Sequence, residues 1–175
     1  MYSFKKDSQY LKTGVPELKD FLLSSEVFWP LGGDLPQLTI GGILFALTRL
    51  SAIQPTEAQK IKLEVDSLKE KWRSAWERKA SREVQNRLRL WSEFLVDYRN
   101  ASRQNADWYT NEVRWRAMLA LLLKEAPSSP EAATLDALDE SLRAGFLHGE
   151  FIWDKELRPV FPEKDFWFLY GKLKP

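Results

Sequence analysis

One apolar stripe runs through the middle of the chain and limits the possible folds more than any other feature. Between Pro55 and Pro127 the sequence contains neither proline nor glycine. The ten steps from Ile61 to Tyr98 cover 37 residues, about 3.7 residues per step, close to the 3.6-residue period of a straight helix. The spacing predicts a long amphipathic helix over about 57–99. The stripe consists of Ile61, Val65, Leu68, Trp72, Trp76, Ala80, Val84, Leu88, Trp91, Leu95 and Tyr98.

The stripe ends at Tyr98, and the residues that follow predict a turn. The segment RNASRQNAD (99–107) offers only two alanines as apolar positions, and its asparagines and aspartate favour caps and turns. A single helix from 56 to 125 would be about 105 Å long, whereas a compact chain of this size has a radius of gyration of about 16 Å. We therefore expect the chain to reverse within 100–107 and to lay a helix at 107–125 antiparallel on the second half of the long one.

The long helix is expected to act as a spine for the whole domain. Residues 56–99 alone would form a helix about 66 Å long, which exceeds a compact globule of this size. Either the molecule is elongated or the helix kinks near Ala80, where the stripe is weakest.

Three further helices are expected around the spine, over 16–24, 36–52 and 130–146. Pro16 suits the first turn of the first helix. Asp34 and Gln37 can form a capping box for the second helix. The third begins after the sequence Ser-Ser-Pro-Glu (128–131), which offers a serine cap and a proline in the first turn.

Two glycines inside the helix at 36–52 need a physical reason. Gly41 and Gly42 each cost about 1 kcal/mol relative to alanine in a helix interior. We expect close contact between the backbone at these glycines and a neighbouring element to offset this cost, or else a kink.

The C-terminal tail, 150–175, differs in character from the rest of the chain. The segments EFIW (150–153) and RPVF (158–161) can form a small β-hairpin, and the aromatic block DFWFLYGKL (165–173) must dock on the core. We therefore predict one domain over 1–175. Its expected fold is all-α or nearly so: an irregular helical bundle around one long spine helix, with an aromatic tail that includes, at most, a small hairpin.

Composition excludes several classes of chemistry. The chain has no cysteine and one histidine, His148, so thiol catalysis, cysteine-zinc sites and zinc centres with several histidines are excluded. No Glu-x-x-His pair and no glycine-rich phosphate loop occur. We expect no enzyme activity, no cofactor and no metal.

The sequence also bears on location. Its most apolar run, 38–53, is 16 residues long and contains Arg49, so it is short for a membrane span. The first residues lack the apolar core of a signal peptide. We expect a cytoplasmic protein that does not enter a membrane.

The most distinctive polar residue is Arg116, which falls on the inward side of the helix at 107–125 with Tyr109 and Val113. A buried arginine needs a carboxylate, and Asp97 or Glu93 lies within reach across the predicted turn. We favour a buried ion pair that fixes how this helical hairpin docks. The alternative is a site for an anion or small ligand, lined by Asp97, Tyr98, Tyr109, Trp115 and Arg116.

The charge is divided unevenly along the chain. Residues 71–116 carry eleven Lys or Arg against six Asp or Glu, and residues 125–165 carry four against ten. Arginines mixed with aromatic rings are typical of single-stranded nucleic-acid binding. We favour that interpretation less, because the tryptophans lie on the stripe and acids are interspersed. Its candidate residues would be Arg78, Lys79, Arg82, Arg87 and Arg89.

The leading functional hypothesis from the sequence is a non-enzymatic interaction or scaffold protein that self-associates as a homodimer. A spine longer than the globule leaves an apolar seam for a second copy, and the basic and acidic segments complement each other across a two-fold axis. The alternatives are a nucleic-acid-binding bundle and a bundle that holds a small apolar or anionic ligand.

Overall fold

The computed structural model describes residues 2–126 and 129–175. Within these residues the chain forms eight α-helices and one two-stranded sheet, which confirms the predicted mostly α-helical bundle. The α-helices are α1 (Phe4–Leu23), α2 (Ile40–Ile53), α3 (Pro55–Lys71), α4 (Arg73–Asn100), α5 (Ser102–Asn105), α6 (Tyr109–Glu112), α7 (Arg114–Glu125) and α8 (Glu131–Gly145). The strands are β1 (Phe146–Phe151) and β2 (Tyr170–Leu173), and short 3₁₀ helices cover Ala106–Trp108, Lys155–Val160 and Trp167–Leu169.

The predicted spine is two helices, α3 and α4, that meet at Trp72. Trp72 leaves the helical region, with φ −119° and ψ 39°, although the amides of Trp72 and Trp76 still bond the carbonyls four residues earlier. The kink near Ala80 that the sequence left open as one of two alternatives is absent, because α4 runs unbroken from Arg73 to Asn100. Ala80 is fully buried, so its small side chain marks close packing and not a bend.

The apolar stripe faces the core along α4. Trp76, Val84, Leu88, Trp91 and Leu95 are buried, while Trp72 at the break is half-buried. The break also shortens the rod, because α3 and α4 are about 26 Å and 42 Å long. Helices α1, α2, α7 and α8 pack against α4 and cover much of its apolar face.

The predicted reversal after α4 is confirmed. α5, the 3₁₀ helix and α6 carry the chain around, and Asn105 closes the end of α4 by donating its amide to the carbonyls of Asp97 and Ala101, both at 3.0 Å. α7 then runs antiparallel to α4. Trp76 near the start of α4 donates its indole N–H to Glu125 at the end of α7.

The first helix is longer than the sequence suggested. α1 begins at Phe4 and not near residue 16, and Pro16 lies inside it. A proline removes one backbone hydrogen bond, and the buried face outweighs that loss. That face consists of Tyr10, Leu11, Val15, Leu18, Phe21 and Leu22.

The second helix starts later than expected, at Ile40. Its cap is Thr39, whose hydroxyl accepts a hydrogen bond from the amide of Gly42 at 2.9 Å. Asp34 and Gln37 do not cap it, because a backbone bridge between Trp29 and Leu38 holds the residues between them as a loop. α8 agrees closely with the predicted 130–146, whereas the predicted cap residue Ser128 lies outside the described residues.

The tail forms a hairpin, but with different strands from those expected. β1 pairs antiparallel with β2, with Phe146 opposite Leu173 and a bulge before Phe151. The segment 158–161 is not a strand, because the chain around Pro159 turns as a 3₁₀ helix. The aromatic block docks on the core as predicted, with Phe166, Phe168, Leu169 and Tyr170 buried.

No helix in 2–126 or 129–175 is both long enough and apolar enough to cross a membrane.

Candidate functional site

Arg116 forms the buried ion pair that the sequence predicts, but with a different acid. Its Nε and Nη2 donate to the two carboxylate oxygens of Asp139 on α8, at 2.8 and 2.7 Å. Its guanidinium also lies 4.4 Å from the ring centre of Phe168. The expected partners Asp97 and Glu93 are wrong: Asp97 is exposed, and Glu93 pairs with Arg89 on the surface at 2.8 Å.

The other residues of the predicted ligand site do not form one site, and each makes different contacts. Tyr109 donates its hydroxyl to the carbonyl of Phe168 at 2.5 Å, and Tyr98 donates to the carbonyl of Lys174 at 2.8 Å. Both hydroxyls therefore hold the C-terminal tail. Burial raises the pKa of Tyr109. Trp115 lies elsewhere, at the wall of a cavity.

The five basic residues proposed for nucleic-acid binding do not share one surface. Lys79 is buried, with its ammonium on the carbonyl of Glu26 and 4.4 Å from the ring centre of Phe21. Arg87 is also buried and bonds Glu83. Arg78, Arg82 and Arg89 are exposed on α4.

Most of the arginines near aromatic rings are used inside the molecule. Ten contacts between a Lys or Arg and a ring lie within 6 Å among the described residues. Strong contacts of this kind occur about once per 70–80 residues in proteins. The mixture of arginines and rings that suggested nucleic acid is therefore accounted for largely by internal packing.

A cavity of about 860 Å³ lies between α1, α2, α4, α7 and the loop before α2. Its volume is in the range of small-molecule sites, which is about 300–1,000 Å³. The lining mixes charged, aromatic and aliphatic side chains: Lys6, Asp7, Gln9, Tyr10, Phe28, Asp34, Leu35, Pro36, Gln37, Thr39, Gly42, Phe45, Ala46, Arg49, Arg87, Arg114, Trp115 and Met118.

One end of the cavity lies at the start of α2, where the carboxylate of Glu83 on α4 bonds the helix backbone. Glu83 accepts a hydrogen bond from the amide of Gly41 at 2.8 Å and another from Arg87 Nε at 3.2 Å. A Cβ at Gly41 would lie 2.5 Å from the Glu83 oxygen, so the predicted close contact at the glycines is confirmed. At Gly42 the close neighbour is the Tyr10 hydroxyl.

Arg87 is the buried cation at this end. Its side chain is 10% exposed and lines the cavity. The guanidinium lies 4.7 Å from the ring centre of Trp115, and that of Arg114 lies 4.3 Å from the same centre. Among the described residues, Nε is the one nitrogen of Arg87 with a hydrogen-bond partner.

The other end of the cavity holds a second ion pair. Arg49 Nη2 donates to Asp7 Oδ1 at 2.5 Å, and Tyr2 donates its hydroxyl to Asp7 Oδ2 at 2.7 Å. Burial raises the pKa of Asp7, against the opposing effects of Arg49 and Tyr2. The guanidinium of Arg49 lies 4.1 Å from the ring centre of Phe45, and Lys6 is exposed beside Asp7.

The sequence did not identify most of these residues as members of a binding site. Trp115 and Arg87 were exceptions, but Trp115 was assigned to the ligand site around Arg116 and Arg87 to nucleic-acid binding. One signal was available, since Arg49 is a charged residue inside an otherwise apolar helix. The cavity offers cations, one ion pair between an arginine and a carboxylate at each end, and apolar walls. No group of three or more His, Asp or Glu side chains within the described parts of the chain could hold a metal ion. His148 is exposed and lies beside Glu163, outside the cavity lining.

The fold and the cavity together define a mostly α-helical bundle with a charged, partly apolar cavity between four of its helices. Comparisons with protein families, with curated proteins and with solved structures find no match to the chain. Function is therefore inferred from the residues that line the cavity.

Proposed function

We propose that this protein is a non-enzymatic, ligand-binding helical bundle that holds a small anionic molecule with an apolar part in the cavity. The observation that carries the proposal is Arg87. Its guanidinium is buried in the cavity wall, and only Nε has a partner among the described residues. An arginine has five N–H donors, so four remain for water or a ligand.

The positive charges of Arg87 and Arg114 favour an anion at the end of the cavity near the start of α2. The guanidiniums of Arg87 and Arg114 each lie within 5 Å of the Trp115 ring centre, and both residues line the cavity. Among the described residues, Glu83 is the one carboxylate bonded to Arg87, so an anion in the cavity would lie near two cations. Hydrogen bonds between charged partners are strong where water is largely excluded.

The remaining walls favour an apolar part in the ligand. Apolar side chains dominate small-molecule sites, and a few polar groups fix the orientation of the ligand. The apolar lining residues include Phe28, Leu35, Phe45, Ala46 and Met118.

We favour ligand binding over the scaffold hypothesis. The apolar stripe of α4 that suggested a second copy is buried within one chain, and Arg116 of the basic segment pairs with Asp139 of the acidic one. The homodimer and the cytoplasmic location stay predictions. Nucleic-acid binding is ranked lower, because Lys79 and Arg87 turn inward.

The test measures binding of simple anions by isothermal titration calorimetry. The probes are octanoate and octyl phosphate, with octanol as the uncharged control. We expect saturable binding of at least one anion and weaker binding of octanol. The double variant Glu83→Gln/Arg87→Gln removes both charges and keeps polar side chains in place. It should weaken anion binding at least tenfold, which corresponds to about 1.4 kcal/mol.

Arg89→Gln is the matched control, because Arg89 lies on the same helix, is exposed and does not line this cavity. It should bind the anions like the wild type. Circular dichroism and thermal unfolding check that each variant is folded, and Arg87→Lys, which keeps the charge, should retain part of the affinity. The proposal is wrong if octanol binds as tightly as the anions, if neither anion binds, or if Arg89→Gln weakens binding as much as the double variant does.

A further inference from the structure

The cavity has a second cationic end, separated from the first along α2. Gly42, Phe45, Ala46 and Arg49 line it at positions i, i+3, i+4 and i+7, which is one face of a helix. Seven residues of helix rise about 10 Å. Arg87 lies beside the start of α2 through Glu83 and Gly41, whereas Arg49 lies two turns further along.

Among the residues that line the cavity, each end has more cations than carboxylates. At the start of α2, Arg87 and Arg114 line the cavity, while the carboxylates of Glu83 and Glu112 lie outside the lining, bonded to Arg87 Nε and to the Trp115 indole. At the other end, Lys6 and Arg49 face the single carboxylate of Asp7. Among the described residues, Asp34 is the other acidic residue that lines the cavity; it is exposed on the loop, as Lys6 is on α1, so water screens both charges.

Arg49 has unused hydrogen-bonding capacity of its own. Its Nη1 has no hydrogen-bond partner among the described residues, whereas Nη2 bonds Asp7 and Nε is enclosed by protein. Lys6 makes no ion pair with any described residue and is exposed at the same end. A second anionic group could therefore be held here without breaking the pair between Arg49 and Asp7.

From this charge distribution we infer that the ligand carries two anionic groups joined by an apolar linker. Arg87 and Arg114 hold one group, and Lys6 and Arg49 hold the other. The linker lies along α2 over Phe45 and Ala46. This inference rests on the proposed function, because it specifies the ligand class of the same cavity.

A length series tests the inference. α,ω-Dicarboxylates with four to twelve carbons are titrated by calorimetry beside monocarboxylates of equal carbon number. We expect one intermediate length, with carboxylates about 10 Å apart, to bind at least tenfold more tightly than its monocarboxylate. An alkyl bisphosphonate of that length shows whether phosphate-type groups are preferred to carboxylates.

Lys6→Gln locates the second anionic group. Lys6 is exposed, so the variant is expected to fold normally, and it should lower the ratio of dicarboxylate to monocarboxylate affinity severalfold. Lys5→Gln is the matched control, because Lys5 is the adjacent exposed lysine and does not line the cavity. It should leave that ratio unchanged.

The outcomes separate this inference from the proposed function. If monocarboxylates bind as tightly as dicarboxylates at every length, and both need Arg87, the site takes a single anion and the inference is overturned while the proposed function stands. If Lys5→Gln lowers the ratio as much as Lys6→Gln, the second group is not held at a defined place and the inference is also overturned. If no carboxylate, octyl phosphate or bisphosphonate binds, both are overturned.

Discussion

Replacing Gly41 by alanine probes the contact on which the buried arginine depends. In a helix interior this substitution should stabilise an unhindered protein by about 1 kcal/mol, and by less at Gly41, which is the second residue of α2. Here the added Cβ would lie 2.5 Å from Oε1 of Glu83 and 3.1 Å from a methyl group of Leu122. Real side chains do not approach so closely, so the Glu83 carboxylate has to move.

The cost follows from what Glu83 does. It accepts one hydrogen bond from the Gly41 amide and one from Arg87, and its side chain is 3% exposed. A hydrogen bond to a charged group contributes about 1.5–3 kcal/mol, and disturbing a buried ion pair adds to that loss. After subtracting the helix-propensity gain, we expect Gly41→Ala to destabilise the protein by about 2 kcal/mol.

Urea unfolding, monitored by tryptophan fluorescence, measures this change in the free energy of unfolding. Repeating the substitution in a variant that lacks the Glu83 carboxylate shows whether Glu83 causes the change. In Glu83→Ala/Arg87→Met, which removes both charges and the obstructing carboxylate, Gly41→Ala should be neutral or stabilising by up to about 1 kcal/mol. The change of sign between the two backgrounds is the distinctive result. Equal effects of Gly41→Ala in both backgrounds would show that Glu83 is not what the glycine accommodates.

Three further predictions concern the rest of the fold. Leu88→Ala on the buried stripe should cost about 2–5 kcal/mol in urea unfolding, while Leu63→Ala, at a side chain that is 60% exposed, should stay within about 0.5 kcal/mol of the wild type; equal losses would contradict the core assignment. Asp139→Asn should cost about 3–5 kcal/mol because Arg116 stays buried, whereas Asp139→Leu/Arg116→Met should restore most of that loss; failure of the double variant to recover would refute the ion-pair argument. Light scattering at micromolar concentration tests the homodimer, and a mass of 20.4 kDa at every concentration would rule it out.

Features that depend on neighbours in sequence were predictable. The stripe of α4 follows from helical spacing, and the reversal follows from a polar run in which Asn105 does close the helix. Gly41 and Gly42 also gave a correct signal, because glycine inside a helix needs an offsetting contact.

Features that depend on where distant elements pack were not predictable. Arg116 could be recognised as a buried arginine from its helical position, but the choice of Asp139 over Asp97 depends on how α8 packs. The break at Trp72 likewise gave no local signal, since the apolar period and the backbone hydrogen bonds continue across it.

The cavity belongs to the second group of features. The contacts that define its ends, Gly41 with Glu83 and Asp7 with Arg49, each join residues 42 positions apart. No spacing rule connects such residues. Arg49 alone was conspicuous, and in the sequence it counted only as a reason against a membrane span.

An arginine that contacts an aromatic ring can still donate hydrogen bonds, as two arginines of this protein show. Stacking engages the flat face of the guanidinium and leaves its N–H groups, which lie in the plane, free to bond. Arg116 stacks on Phe168 and places two of its N–H groups on Asp139, so the carboxylate neutralises it. Arg87 stacks on Trp115 in the same way but gives Glu83 only Nε. Because Arg87 lines the cavity and its remaining N–H groups have no partner among the described residues, Arg87 is the arginine from which binding of an anion is best inferred.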